Sequence, residues 1–150
     1  MRFTILALLA LAYVAHAQKA GTNTAESHLD MPMQESGSSL STSIVLDSNW
    51  RWTHHVDDYV NCYDGNEWST EFCPDSATCT ENCAIDGVDQ GTWGGTYGIS
   101  ASGGGITLKF VTEGTYSTNI GSRVYLLASE DKYKMFYLKN REFSVDIDAS

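Results

Sequence analysis

The chain has 150 residues, 42 % of them hydrophobic, with 9 basic and 19 acidic side chains and a net charge of −10 at pH 7. That length suits a single domain. So large an acidic excess excludes nucleic acid as a partner, because its phosphates would be repelled, and leaves a neutral polymer admissible without selecting it.

Met1-Arg2 supplies a short positive region, and Phe3 to Val14 is a nearly unbroken apolar run. Ala15-His16-Ala17 then places small residues at the two positions a signal peptidase reads. The apolar run is too short to span a bilayer, and no later segment is apolar enough to do so, so no membrane partner is expected. Residues 1–17 read as a signal peptide, and the mature chain as secreted, extracellular and starting at Gln18. A buried N-terminal helix is the competing reading. Removing residues 1–17 leaves 133 residues and takes Arg2 away, so the net charge becomes −11.

Residues 18–43 are rich in Ser, Thr, Gly and Asn and predict an irregular lead-in. Ile44-Val45-Leu46 is a compact β-branched run that predicts a strand. Trp50 and Trp52 follow two residues apart. On a strand they would share one face, about 7 Å apart along it, and both core packing and a platform for flat sugars fit that arrangement. Pro74 to Cys83 is the only helix candidate, with Pro74 placed to start it.

Further strands are expected where Ile106, Leu108 and Phe110 alternate with Thr107 and Lys109, over Val124–Leu127, and over Tyr133–Leu138. Phe143, Val145 and Ile147, alternating with polar residues, predict one more. Gly94-Gly95, Gly103-Gly104-Gly105, Glu113-Gly114 and Ser129-Glu130-Asp131 read as turns between them. The class is all-β, as a sandwich.

In an exported chain the four cysteines, Cys62, Cys73, Cys79 and Cys83, read as two disulfides with three pairings open. A zinc site competes, but the spacing fits no familiar finger. No Gly-x-Ser-x-Gly is present; Gly98 to Gly103 comes nearest with the wrong spacing. His54 and His55 therefore read as strand-end or loop residues rather than a catalytic base. No metal ligand set and no catalytic residue is assigned within these 150 residues.

Four stretches carry a resemblance: Ser48-Asn49-Trp50-Arg51-Trp52-Thr53-His54, Asn61-Cys62-Tyr63-Asp64-Gly65-Asn66, Phe72-Cys73-Pro74-Asp75, and Thr78-Cys79-Thr80-Glu81-Asn82-Cys83. Together they resemble the opening of glycoside hydrolase family 7, the secreted cellulases, and its cellobiohydrolase branch in particular. The match runs over 18–150 and corresponds to about the front third of a family catalytic domain.

The resemblance implies a concanavalin-A-like β-jelly roll sandwich, incomplete in this chain, and the nested pairing Cys62–Cys83 around Cys73–Cys79. It implies retaining hydrolysis of β-1,4 linkages in cellulose by a monomer without metal or organic cofactor. It also implies a substrate wall: Trp52 near a tunnel entrance with Trp50 deeper, Asn61 and Tyr63 in a roofing loop, and Asn119 and Arg123 on sugar hydroxyls. A structural ion pair is the alternative for Arg123.

Retention needs two carboxyl groups about 5 Å apart, which the family supplies from Glu-x-Asp-x-x-Glu. That signature does not occur here. Glu142 with Asp146 has the wrong offset, Asp146 and Asp148 are followed by no Glu, and Asp57 and Asp58 are adjacent, so these acids read as solvated surface groups. The expectation is a chain that contributes glucan-binding wall and is inactive alone; a secreted, non-catalytic glucan-binding module and an endoglucanase of the same family are the alternatives. Ala and Ser stand where family members often carry further cysteines near the N-terminus and over Met33–Thr42, and Ala84 follows Cys83 where a second Cys is common.

Overall fold

The computed structural model describes residues 19–20, 23–115 and 117–149. The expected signal peptide and the Gln18 start lie outside them. The strands, in chain order, are β1 (Lys19–Ala20), β2 (Leu29–Asp30), β3 (Met33–Glu35), β4 (Ser38–Leu40), β5 (Ser43–Leu46), β6 (Thr53–His55), β7 (Tyr63–Asp64) and β8 (Glu67–Trp68). After these come β9 (Cys83–Ile85), β10 (Ile99–Ser102), β11 (Gly105–Leu108), β12 (Val111–Glu113), β13 (Thr118–Ile120), β14 (Val124–Ser129) and β15 (Lys132–Tyr133). Two short helices, α1 (Ser76–Asn82) and α2 (Gln90–Gly95), and a 3-10 turn at Ser48–Trp50 complete the set.

The largest sheet has four strands in the order β15-β14-β5-β2, and a second has three, β1-β9-β6. Four two-stranded hairpins surround them: β3-β4, β7-β8, β10-β11 and β12-β13. The all-β expectation holds, with the sheets short and incomplete.

Strand β5 is central because its alternation is strict. Ile44 and Leu46 are buried while Ser43 and Val45 are only partly so, and its backbone is paired on both edges, to Leu29–Asp30 and to Val124–Leu127. Ile44 and Leu46 pack with Val88, Trp93 and Ile99 as the fully buried core, and Leu29, Met31, Trp50, Tyr97, Ile106, Val124 and Leu126 close round it. Burying a side chain of this kind contributes about 1.5–3 kcal/mol, which is why the continuous run at Ile44–Leu46 governs the sheet.

Four expectations are corrected. The lead-in is not irregular: Ser27 N donates to Val88 O at 2.9 Å, Thr24 N to Asp86 Oδ1 at 3.1 Å, and Ser36 and Gly37, at φ +52° and +80°, turn the β3-β4 hairpin. Two consecutive positive φ values give the hairpin turn that matches strand twist. Those anchors are more than 60 residues away in sequence, so local composition did not reveal them.

The helix near Pro74 begins at Ser76, two residues later than expected. Asp75, not Pro74, is its cap, accepting from Ala77 N at 3.0 Å and Thr78 N at 2.9 Å and satisfying donors that have no partner within the helix. A second helix, α2, occupies Gly94-Gly95 where a turn was expected. Asp89 caps it through Thr92 N at 2.7 Å, and burial of Trp93, whose indole N–H donates to Ser27 O, offsets the low helix propensity of three glycines.

The last correction concerns 133–148. Of this stretch only Tyr133, with Lys132 before it, pairs with β14, and Lys134 N adds one bond to Leu126 O at 2.8 Å. Met135–Leu138 and Phe143–Ile147 join no ladder among the described residues and are exposed. Alternation marks which side chains would share a face; a strand also requires a neighbour for its N–H and C=O groups. Phe110, expected in a strand with Ile106 and Leu108, falls past the end of β11 and is exposed, its carbonyl accepting from Gly121 N at 2.7 Å rather than from β10.

Candidate functional site: an aromatic and arginine wall

Trp50 and Trp52 do not share a strand face, contrary to expectation. Asp47 Oδ1 accepts from Asn49 N at 2.8 Å, and Trp50 N and Arg51 N bond to Asp47 O and Ser48 O, which winds Ser48–Trp50 into a 3-10 turn. Asp, Ser and Asn favour such local side-chain-to-backbone bonds over a ladder. Trp52 lies beyond the turn, immediately before β6.

Trp50 belongs to the first cluster. Its indole N–H donates to Ile120 O at 3.2 Å, and the Arg123 guanidinium lies 5.5 Å from its ring centroid, within cation–π range. Arg123 Nε donates to Asp47 Oδ2 at 2.7 Å, and Tyr125 Oη donates to the same oxygen at 2.9 Å. The hydrogen bond from Arg123 holds the Asp47 carboxyl below its ordinary range; the same bond raises Arg123, and Asp47 raises Tyr125. Asp47 is thus an anion at neutral pH that fixes the cation over Trp50. Asn119 closes a local turn, its amide donating to Gly121 O at 2.9 Å, beside the carbonyl that holds the Trp50 indole.

Trp52 belongs to the second cluster. Its indole N–H donates to Asn61 Oδ1 at 2.6 Å, and its ring lies 4.4 Å from His54 and 5.9 Å from Tyr59. His54 is fully buried with Nδ1 2.8 Å from His55 O. A carbonyl partner makes that nitrogen the donor, and the ring packs against Trp52. Tyr63 stands apart from both clusters, packed against Trp68 in the β7-β8 hairpin with ring centroids 4.8 Å apart.

Arg51, between the tryptophans, faces inward. It pairs with Glu26 and donates through Nε to Asp86 O at 2.9 Å, so it ties the lead-in to the core. The disulfides are Cys62–Cys83 and Cys73–Cys79. Cys62, Cys73 and Cys83 bring their sulfurs within 4.8 Å of one another, but each is bonded to another sulfur and offers no thiolate to a metal. Sequence reasoning missed Asp47, Tyr125 and Tyr59; Asp47-Ser48-Asn49 is turn chemistry and was the available signal for the first.

Residues 20–150 match the sequence model of Glycosyl hydrolase family 7. The chain belongs to this family. An exoglucanase, GH7B, of Limnoria quadripunctata is 61 % identical over 150 residues, covering all of the chain and 34 % of that protein. The crystal structure of a family 7 cellobiohydrolase from Daphnia pulex is similar with a TM-score of 0.63 at 50 % identity, over 73 % of this chain and 26 % of that one. A cellobiohydrolase from Melanocarpus albomyces complexed with cellotetraose gives a TM-score of 0.68 at 43 % identity, over 79 % and 28 %. The chain therefore spans about a third of the length of the curated relative and about a quarter of the solved structures. Its fold is the β-jelly roll of family 7, with incomplete sheets.

Proposed function

We propose that the protein carrying this region hydrolyses β-1,4-glucosidic bonds in cellulose with retention, as a secreted, monomeric cellobiohydrolase. Residues 18–150 contribute part of its glucan-binding wall, through Trp50, Trp52, Asn61, Tyr63, Asn119 and Arg123. The observation that carries the reading is family 7 membership over 20–150 together with an aromatic and arginine cluster set by Asp47.

The chemistry of the wall follows from its residues. Flat indoles accept the apolar C–H faces of pyranose rings, and Arg123 offers donors to their hydroxyls. The bond from Arg123 to Asp47 uses one of the five guanidinium N–H groups, so pairing does not exhaust the side chain. The Trp52 indole is oriented by Asn61 before any sugar arrives, which limits the entropy lost on binding. Cleavage would fall to two carboxyl groups about 5 Å apart, and the Glu-x-Asp-x-x-Glu that supplies them in the family does not occur in these 150 residues.

The deciding experiment uses the native protein with reduced-end-labelled cello-oligosaccharides, following the anomer first released. β-Product released mainly as cellobiose supports the reading, α-product removes retention, and internal cleavage moves the protein to the endoglucanase alternative. A second reading is a non-catalytic glucan-binding module, for which the aromatic clusters at Trp50 and Trp52 would suffice. Retention on cellulose that Trp52→Ala abolishes, without any product, would establish it instead.

A further inference from the structure

Among the exposed rings, Tyr59 is the one stacked on a tryptophan of the wall described above. Tyr59 lies in the loop between β6 and Cys62 with 78 % of its surface exposed. Its ring is parallel to the Trp52 indole, 8° between planes and 5.9 Å between centroids. His54, the other ring against Trp52, is wholly buried while Trp52 is half-buried. The three rings therefore step outward from core to solvent.

The loop that presents Tyr59 is held at its base. His55 N donates to Val60 O at 2.8 Å, Val60 N donates to Asp58 Oδ1 at 3.0 Å, and His54 and Asn61 form a bridge. Asn61 also accepts the Trp52 indole N–H. The same short segment thus fixes both the backbone of Tyr59 and the orientation of Trp52.

A parallel phenol at that separation overlaps an indole in an offset stack. Such a stack covers only part of the larger ring and leaves the outer face of the phenol open. Trp52 and Tyr59 then form one stepped apolar platform with polar edges, suited to a ligand whose flat faces are C–H and whose rim is hydroxyl.

We infer that Tyr59 is a further glucan-binding residue, its outer face taking a pyranose ring beside the one at Trp52. The inference rests on the reading of this wall as a β-1,4-glucan site and extends it by one ring. What sets Tyr59 apart is not exposure but placement: its backbone is fixed, one face lies parallel to Trp52, and its outer face remains open. The competing role is a cover, in which Tyr59 merely shields Trp52 and must leave before sugar binds.

The test titrates soluble cello-oligosaccharides of increasing length into the native protein and into Tyr59→Ala, Tyr59→Phe and Trp52→Ala, reading heat of binding. Tyr59→Ala should weaken binding by roughly 2- to 10-fold, the range expected for one ring contact, and Tyr59→Phe, which keeps the face, should match the native protein within about 2-fold. Unchanged or tighter binding by Tyr59→Ala overturns the inference and makes Tyr59 a cover. If the native protein binds no cello-oligosaccharide, the glucan reading itself fails and the inference falls with it. If the native protein binds and only Trp52→Ala loses affinity, the reading stands and the inference alone is lost.

Discussion

Arg123 Nε meets Asp47 Oδ2 at 2.7 Å, 76 residues away in sequence, and so joins the start of β14 to the turn that carries Trp50. Asp47 N completes the contact by donating to Arg123 O at 2.9 Å. One carboxylate therefore organises a helical turn, a cation and a phenol, and the position of Trp50 depends on it.

Replacing Asp47 with Asn keeps the size and removes the charge. Charge-assisted hydrogen bonds contribute about 1.5–3 kcal/mol each to stability; Asp47 Oδ2 receives two, from Arg123 and Tyr125, which are lost or reduced to neutral bonds while the turn is only weakened. Urea denaturation of the native protein should show Asp47→Asn less stable by about 1.5–3 kcal/mol, with glucan affinity reduced as Arg123 leaves Trp50. A variant of native stability and affinity would show that the bond is incidental.

The same residue sets an acid dependence. The Asp47 carboxyl is depressed in the folded protein, chiefly by the bond from Arg123, so below about pH 4, near the unfolded value, the unfolded state binds more protons. Stability then rises with pH across that window. The contribution is complete above about pH 4 and disappears as pH falls through the folded value. The denaturation midpoints of the native protein and Asp47→Asn should converge on acidification, and a gap independent of pH would rule the linkage out.

Asn61 is expected to act on sugar through Trp52. Its removal by Asn61→Ala leaves the indole N–H without its acceptor, a loss of about 0.5–1.5 kcal/mol for a neutral bond, read as a 2- to 10-fold weaker affinity. In a Trp52→Phe background, where no N–H exists, Asn61→Ala should have little further effect. Additive losses in the double variant would place Asn61 on the sugar directly.

The disulfides differ in the chain they enclose, with sequence separations of 21 for Cys62–Cys83 and 6 for Cys73–Cys79. Chain-entropy reasoning gives losses of roughly 3 and 2 kcal/mol on removal. Melting of the native protein with Cys62→Ser/Cys83→Ser should therefore fall further than with Cys73→Ser/Cys79→Ser. The reverse order would show that packing of the inner pair outweighs loop length.

Two glycines with left-handed φ separate conformation from space. Gly37 at φ +80° has nothing within 4 Å of where a Cβ would stand, whereas at Gly98, φ +66°, it would lie 2.0 Å from Thr112 Oγ1. Gly37→Ala should cost about 1–2 kcal/mol, the left-handed penalty alone. Gly98→Ala adds displacement of the buried Thr112 and should be clearly worse by thermal denaturation. Equal losses would mean that β12 moves aside freely.

What could be read from the chain was what local chemistry determines. The compact run Ile44-Val45-Leu46 was legible as a strand, though not as the central one, and Gly103-Gly104-Gly105 as a turn, where Gly103 and Gly104 take positive φ. The arrangement of the aromatic and arginine residues was not legible: Trp50 and Arg123 fall in one cluster and Trp52 and Asn61 in another. Trp50 left the strand because Asp47 captured the backbone of Asn49, and Arg123 reached the same Asp47 from 76 residues beyond. Phe143, Val145 and Ile147 show the opposite limit: a clear period of two, with no strand beside it among the described residues. Thr24 and Ser27, polar and unpatterned, are ordered by Asp86 and Val88, contacts that no window of sequence contains.

The central position of β5 has a consequence in time. Asp47, at its end, and Tyr125, on its partner β14, are 78 residues apart, and a ribosome adds roughly 5–20 residues per second. The newly made β5 therefore waits on the order of 4–16 s for its second neighbour, with only the short β2 beside it and one edge bare. During that interval the nascent chain offers Ile44 and Leu46 to any other extended segment, so its yield should depend on the pace of translation and on chaperones that shelter an open strand, even where the finished fold is unaffected.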